Sequence, residues 1–363
     1  MGFNCGIVGL PNVGKSTIFN AMTAAGAEAS NYPFCTINPN IGMVPLRDER
    51  LYRLSALVKP ERVLPTAVEF VDIAGIVKGA SKGEGLGNQF LGNIRSVDTI
   101  VHVVRCFEDP QVVHVEGKID PIGDIEVIET ELILADLDAV DRRLERTSKL
   151  AKSGDKAVKE ALEAYAAVKK ALEEGKPARS ALNEETALVV KDLNLLTVKP
   201  VIYVANVGED DLDGSSECAR AVRERSEREG EQCVVICGKI ESEIAELSEE
   251  ERTEFLSGLG LKQSGLDRLA TAAFSQLGLI TYFTAGKKEV RAWTVRKGAK
   301  APEAAGVIHS DFERGFIKAE VMSYEDFTTF GSEAACRDKG VLRVEGKDYV
   351  VKDGDIMHFR FNV

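Results

Sequence analysis

Two periodicities divide the chain. Up to about residue 120, short and nearly continuous apolar runs alternate with glycine-rich loops and helical patterns. The runs Asn4–Val8, Ala67–Asp72 and Thr99–Cys106 predict strands, and their lack of polar alternation suits parallel strands covered on both faces. An α/β sheet with helical crossovers is therefore expected. From about residue 125 the period becomes helical. Ile133, Leu137, Val140 and Leu144 are spaced by four, three and four, which puts them on one stripe. Val158, Leu162, Tyr165 and Leu172 continue that seam after Ser153-Gly154-Asp155, with Asp155 as N-cap, and Gly175-Lys176-Pro177 ends the second helix. Two helices joined by so short a turn predict an antiparallel hairpin. Strand patterns resume at residues 200–205 and 232–237, so the helices read as an insertion that splits one sheet domain. After Gln276, short strand patterns at 290–295, 316–321, 349–351 and Ile356–Phe361 predict a small α+β module with its own core. The expected division is a sheet domain over residues 1–124 and 198–276, a helical insertion over 125–197 and a C-terminal module over 277–363.

Composition narrows the function classes. A length of 363 residues exceeds one ordinary core, consistent with two or three domains. No apolar run approaches the ~20 residues that span a bilayer, so no membrane partner is expected. The N-terminus passes directly into a strand pattern, without the basic region and apolar core of a signal peptide, and a cytoplasmic location is the expectation. Seven cysteines, at 5, 35, 106, 218, 233, 237 and 336, show no paired zinc spacing and read as reduced thiols. A net charge of −12 argues against broad affinity for DNA, because phosphate neutralisation needs clustered Lys and Arg. A monomer is the default.

The chemistry concentrates in a few motifs. Gly9-Leu10-Pro11-Asn12-Val13-Gly14-Lys15-Ser16 fits G-x-x-x-x-G-K-S and stands after an apolar strand and before a helix, the context a P-loop requires. Its glycines let backbone N–H groups curl round the β-phosphate. Lys15 is expected to bridge the β- and γ-phosphates, and Ser16 to ligate Mg²⁺. Asn12 offers either a ligand for a monovalent cation or a loop-stabilising hydrogen bond. Asp72-Ile73-Ala74-Gly75 then ends a strand as D-x-x-G, where Asp72 can hold a magnesium-bound water and the Gly75 N–H can sense a γ-phosphate. Between them, Thr36 offers a second hydroxyl to Mg²⁺ from a loop that the γ-phosphate could order. The glycines of residues 79–87 supply hinges for a mobile switch.

Two departures bear on turnover and on the base. Ile76 stands where many related GTPases carry a glutamine that orients the attacking water, so hydrolysis must use another group, a cation or a partner. His114, in the loop after the strand ending at Cys106, is one candidate for that group; a solvated loop histidine is the alternative. Asn206-Val207-Gly208-Glu209 replaces the usual N-K-x-D, whose Asp accepts two hydrogen bonds from guanine. Glu209 displaces that carboxylate while Asn206 can still reach purine N7 and N6, which shifts the expectation from GTP toward ATP.

These motifs together resemble the Obg-like ATPases of the YchF subfamily, within the translation-factor-related class of P-loop GTPases. The resemblance rests on residues 9–17, on 31–36 followed by Asn38-Pro39-Asn40, on 72–75 with 79–88, and on 206–209, and it spans nearly the whole chain. It implies a Ras-like G domain with an inserted helical hairpin and a C-terminal TGS domain. It also implies ATP as the preferred nucleotide, with hydrolysis coupled to ribosome binding. By the same resemblance, residues Asn12, Val13, Gly14, Lys15, Ser16 and Thr17 wrap the phosphates, Ser16 and Thr36 hold Mg²⁺, the backbone at Val207 meets adenine, and His114 is the catalytic histidine. Cys237-Gly238-Lys239 stands where the wider class has S-A-K, and its role is open. Residues 141–180 hold eleven Lys and Arg against seven Asp and Glu, a face for ribosomal RNA or for solvent. Trp293, among the basic residues of the C-terminal module, reads as a packing residue before a base-stacking one. The competing functions are a GTPase of the same fold and a ribosome-binding module that uses nucleotide as a structural ligand.

Overall fold

A computed structural model describes residues 3–27, 40–73, 86–109, 119–150 and 155–362. The apolar runs form a six-stranded sheet from β1 (Asn4–Val8), β2 (Ile41–Pro45), β4 (Ala67–Asp72), β5 (Thr99–Cys106), β6 (Val201–Val207) and β7 (Gln232–Ile236), in the order β2-β4-β1-β5-β6-β7. All neighbours pair in parallel except β2 with β4. Every residue of β5 and β6 is buried, as their unbroken apolar runs require in a sheet covered on both faces. Helix α1 (Lys15–Ala27) follows β1, so the P-loop turns at the carboxyl edge of a central strand. Ligands of open α/β sheets bind at that edge.

The second six-stranded sheet, ordered β11-β10-β12-β8-β9-β3, is built mostly from the C-terminal segment. Its strands are β8 (Leu279–Ala285), β9 (Glu289–Arg296), β10 (Phe316–Met322), β11 (Arg343–Glu345) and β12 (Ile356–Phe361), with β3 (Arg62–Leu64) added at one edge. Strand β3 pairs in parallel with β9, Arg62 opposite Glu289 and Leu64 opposite Arg291. The preceding helix α2 (Glu49–Val58) places Leu51 and Leu54 among Phe283, Val290 and Phe327. The C-terminal core thus draws on residues 49–64 as well as on the segment after Gln276. The expected strand at 349–351 forms only an isolated bridge, Lys300 to Val350. The turn after it is capped by Asp355, which accepts from the Lys352 N–H at 2.9 Å and from the Tyr349 hydroxyl at 2.7 Å.

After α3 (Leu86–Ser96) come the two long helices α4 (Pro121–Leu150) and α5 (Lys156–Glu173). Ile133 and Val140 of α4 pack with Tyr165, Val168 and Leu172 of α5, and Lys169 pairs with Asp141 at 2.7 Å. Asp155 caps α5 by accepting from the Ala157 N–H at 3.0 Å, and Gly175 takes the left-handed conformation just beyond it (φ 73°). The first turns of α4 belong to the sheet: Ile125, Ile128 and Leu132 join its core. Asp136, fully buried, accepts from the Leu196 and Thr197 N–H groups, both at 2.8 Å, and from the Thr197 hydroxyl at 2.7 Å. That triple contact fastens the insertion to the chain entering β6. No helix of the described residues is long and apolar enough to cross a membrane.

Candidate nucleotide-binding site

Between Val8 and Lys15 the chain reverses through two left-handed residues, Asn12 (φ 66°) and Gly14 (φ 87°). Gly14 has a second constraint besides its φ: a Cβ there would lie 2.1 Å from the Asn206 amide nitrogen. At Gly9 a Cβ would lie 2.8 Å from the Val103 carbonyl of β5. Val13, nearly fully buried, pins the middle of the turn to the core.

Above this turn opens a cleft of about 1210 Å³, lined by the P-loop, by Phe107 after β5, by residues 206–210 after β6 and by Cys237, Gly238 and Lys239 after β7. Ser16 and Thr17, in the first turn of α1, face it and are exposed. The Lys15 ammonium forms an ion pair with Asp72 at the end of β4. Lys15 and Ser16 thus line the cleft, and the ion pair joins Asp72 of β4 to the P-loop. Thr36, Gly75, Ile76, His114 and residues 79–85 lie outside the described residues.

Asn206 lines the cleft and is also engaged within the protein. It is 3% exposed, its Nδ2 donates to the Val13 carbonyl at 2.8 Å, and its Oδ1 accepts from the Gly238 N–H at 3.0 Å. The amide braces the P-loop against the loop after β7. Parallel strands β1, β5 and β6 end at the same edge, and this brings residues 193 positions apart into contact. Val207 is buried as the last residue of β6, which leaves the backbone at the mouth of the cleft. Glu209 meets Lys239 at 2.5 Å, which gives the Cys237-Gly238-Lys239 run a partner in the base-side motif.

Arg105 was not anticipated. It stands in β5 inside an apolar run and is 2% exposed, with its guanidinium 4.6 Å over the Phe107 ring. Its Nε donates to the Phe107 carbonyl at 3.1 Å, and its Nη1 approaches the Asn12 carbonyl at 3.5 Å. A fixed positive charge therefore lies under the P-loop. An arginine one residue from the end of a buried, largely apolar strand was the available signal. In the same strand His102 is packed against Tyr203, ring centroids 5.7 Å apart, and burial pushes its pKa down to about 3. Burial also holds the Cys237 thiol above its ordinary range, which keeps it protonated at the rim of the cleft.

Residues 4–163 match the family model described as a 50S ribosome-binding GTPase, and residues 279–362 match the C-terminal domain model of YchF GTPases, described as a protein of unknown function. The ribosome-binding ATPase YchF of Haemophilus influenzae is 58% identical, over the whole of both chains. That of Bacillus subtilis is also 58% identical over the whole of both. The solved Schizosaccharomyces pombe YchF GTPase matches with a TM-score of 0.90 at 39% identity, covering 99% of this chain and 98% of that one. A GTP-binding protein from Pyrococcus horikoshii, with a TM-score of 0.60 at 19% identity over 99% of this chain and all of the other, shares the fold alone. With a P-loop cleft of this geometry and such identity from end to end, the chain belongs to the YchF family of P-loop proteins.

Proposed function

We propose that this chain is an ATP-hydrolysing P-loop switch that binds the ribosome in a nucleotide-dependent way. The observation that carries this reading is the cleft itself, in which a strand-to-helix P-loop faces a base-side rim built from Glu209 and Lys239. The printed names of the full-length relatives, ribosome-binding ATPases, support it.

The backbone N–H groups of residues 12–17 wrap the α- and β-phosphates. Lys15 leaves Asp72 for the β- and γ-phosphate oxygens, a more highly charged anion, and Asp72 is then free to accept from a water. The Ser16 hydroxyl on the cleft wall and the Asp72 carboxylate paired with the neighbouring Lys15 are hard oxygen donors, a set that fits Mg²⁺; Thr36 is the proposed second hydroxyl. Mg²⁺, when bound, neutralises charge on the phosphoryl oxygens. Arg105 adds a fixed positive field beneath the loop. The Val207 backbone is the proposed contact to adenine, Gly75 the sensor of the γ-phosphate, and His114 the group that positions or activates water in place of the glutamine that Ile76 replaces. The helical insertion over 125–197 and the module over 277–363 are the proposed ribosome-facing parts.

Dissociation constants for ATP and GTP on one preparation, together with single-turnover hydrolysis with and without 70S ribosomes, test this. ATP is expected to bind tighter, and hydrolysis to require His114 and to quicken with ribosomes. Tighter GTP binding would make the chain a GTPase of the same fold. Equal and negligible hydrolysis in the wild type and His114→Ala, with or without ribosomes, would make nucleotide a structural ligand.

A further inference from the structure

Strands β6 and β7 are adjacent and parallel, so the loops leaving their carboxyl ends run side by side. This brings Glu209 and Lys239, 30 positions apart, to 2.5 Å between Oε2 and Nζ. Lys239 is held from both sides. The preceding Gly238 donates its N–H to Asn206 at 3.0 Å. Two residues on, the Glu241 carboxylate, nearly fully buried, accepts from the Gly265 N–H at 2.6 Å and the Leu266 N–H at 3.3 Å. The short helix Gly238–Ile244, which carries Lys239, is thereby fixed against the helix Gly265–Gln276 and the P-loop brace.

The Lys239 and Glu209 side chains are 66% and 49% exposed, so their pairing adds little to folding stability. Its consequence lies in what Glu209 can still accept. A carboxylate that selects guanine uses both oxygens, one for N1–H and one for the 2-amino group. The Watson–Crick edge of adenine has one amino group and no N–H in its ring. With Oε2 tied to Lys239, the two oxygens are no longer free to turn together onto N1–H and the 2-amino group.

We propose that Lys239 is a specificity-positioning residue: by holding one oxygen of Glu209 it removes the two-oxygen acceptor that guanine requires, and so sets the purine preference of the site. This rests on the reading of ATP as the preferred nucleotide, and it goes further by assigning that preference to a pair of side chains.

The test is equilibrium binding of non-hydrolysable ATP and GTP analogues to the full chain, as wild type, Lys239→Ala, Lys239→Arg, Glu209→Ala and the double variant. Lys239→Ala is expected to tighten GTP relative to ATP by about fivefold, or about 1 kcal/mol, the upper value for an exposed ion pair that guanine must otherwise displace. Lys239→Arg, which restores the cation, should keep the ratio within about twofold of wild type. In the Glu209→Ala background, loss of Lys239 should leave the ratio unchanged. A Lys239→Ala ratio within about twofold of wild type overturns the proposal, as does an equal shift in the Glu209→Ala background, which would mean that Lys239 acts on the base without Glu209. Wild-type preference for GTP would overturn the ATP reading alone, because the shift between wild type and Lys239→Ala measures the pair in either case.

Discussion

Replacing Asn206 by alanine removes a brace between two loops, and the cost can be worked from its two hydrogen bonds. The Val13 carbonyl loses a donor at 2.8 Å and the Gly238 N–H loses an acceptor at 3.0 Å. Each buried backbone group left without a partner costs about 1–3 kcal/mol. Water from the adjoining cleft can reach part of the gap, so the lower half of the summed range, about 2–4 kcal/mol, is expected for Asn206→Ala. Asn206→Asp sharpens the argument. It keeps an acceptor for Gly238 but turns a carboxylate oxygen toward the Val13 carbonyl, so it should cost at least as much as alanine. Urea unfolding followed by far-UV circular dichroism gives both values, and a fluorescent ATP analogue gives the affinity on the same samples. An amide that chiefly contacts the base would behave differently: affinity would fall while stability changed by under about 1 kcal/mol. That outcome, or an aspartate variant more stable than the alanine one, would refute the bracing role.

Three further outcomes follow from the packing. His102, with its pKa lowered by burial from 6.5 to about 3, binds its proton in the unfolded chain before the folded one. It therefore stabilises the fold above the unfolded value and loses that contribution as pH falls from about 6.5 toward 3, at up to about 1.4 kcal/mol per pH unit; the difference in unfolding free energy between pH 7 and pH 5 should shrink in His102→Leu, and an unchanged difference would refute it. Asp136→Ala should cost about 2–4 kcal/mol in urea unfolding, because the Leu196 and Thr197 N–H groups lose their acceptor in a buried place; a loss under about 1 kcal/mol would show that the insertion is fastened elsewhere. Leu51→Ala should destabilise the C-terminal core by about 2–5 kcal/mol, read from the fluorescence of Trp293, the chain's single tryptophan, and a silent Trp293 signal would contradict the shared core.

The central strands were legible because burial writes largely apolar runs: Asn4–Val8, Ala67–Asp72 and Thr99–Cys106 have the bounds the pattern predicts. The Asp155 cap was legible because capping is local. Strand β3 was not, since three residues between Pro60 and Pro65 carry no period and its partner lies more than two hundred positions away. The strand expected at 349–351 is cut to one bridge, with the Val351 N–H donating to the Ala299 carbonyl and the Ala301 N–H to the Tyr349 carbonyl, because the chain turns directly after it, where Asp355 accepts from the Lys352 N–H. At the site, the P-loop could be read from spacing because one contiguous turn makes it. Asn206, Arg105 and Lys239 take their roles from partners brought in by strand order, and no local pattern records those partners.

The exchange of β3 and α2 alters what a domain boundary means in this chain. The backbone passes between the two cores at residues 46–48, again at Pro65 and Thr66, and a last time at Leu277 and Gly278. Two of these passages bracket a segment lying wholly within the N-terminal third of the sequence. Cutting the chain at residue 277 would leave the first piece carrying an orphan strand and the second carrying a hole where Leu51 and Leu54 belong. The C-terminal unit is thus a graft with several roots, and any rotation of it against the first sheet must be shared by all three passages, among them the two residues that lead into β4, the strand that ends at Asp72.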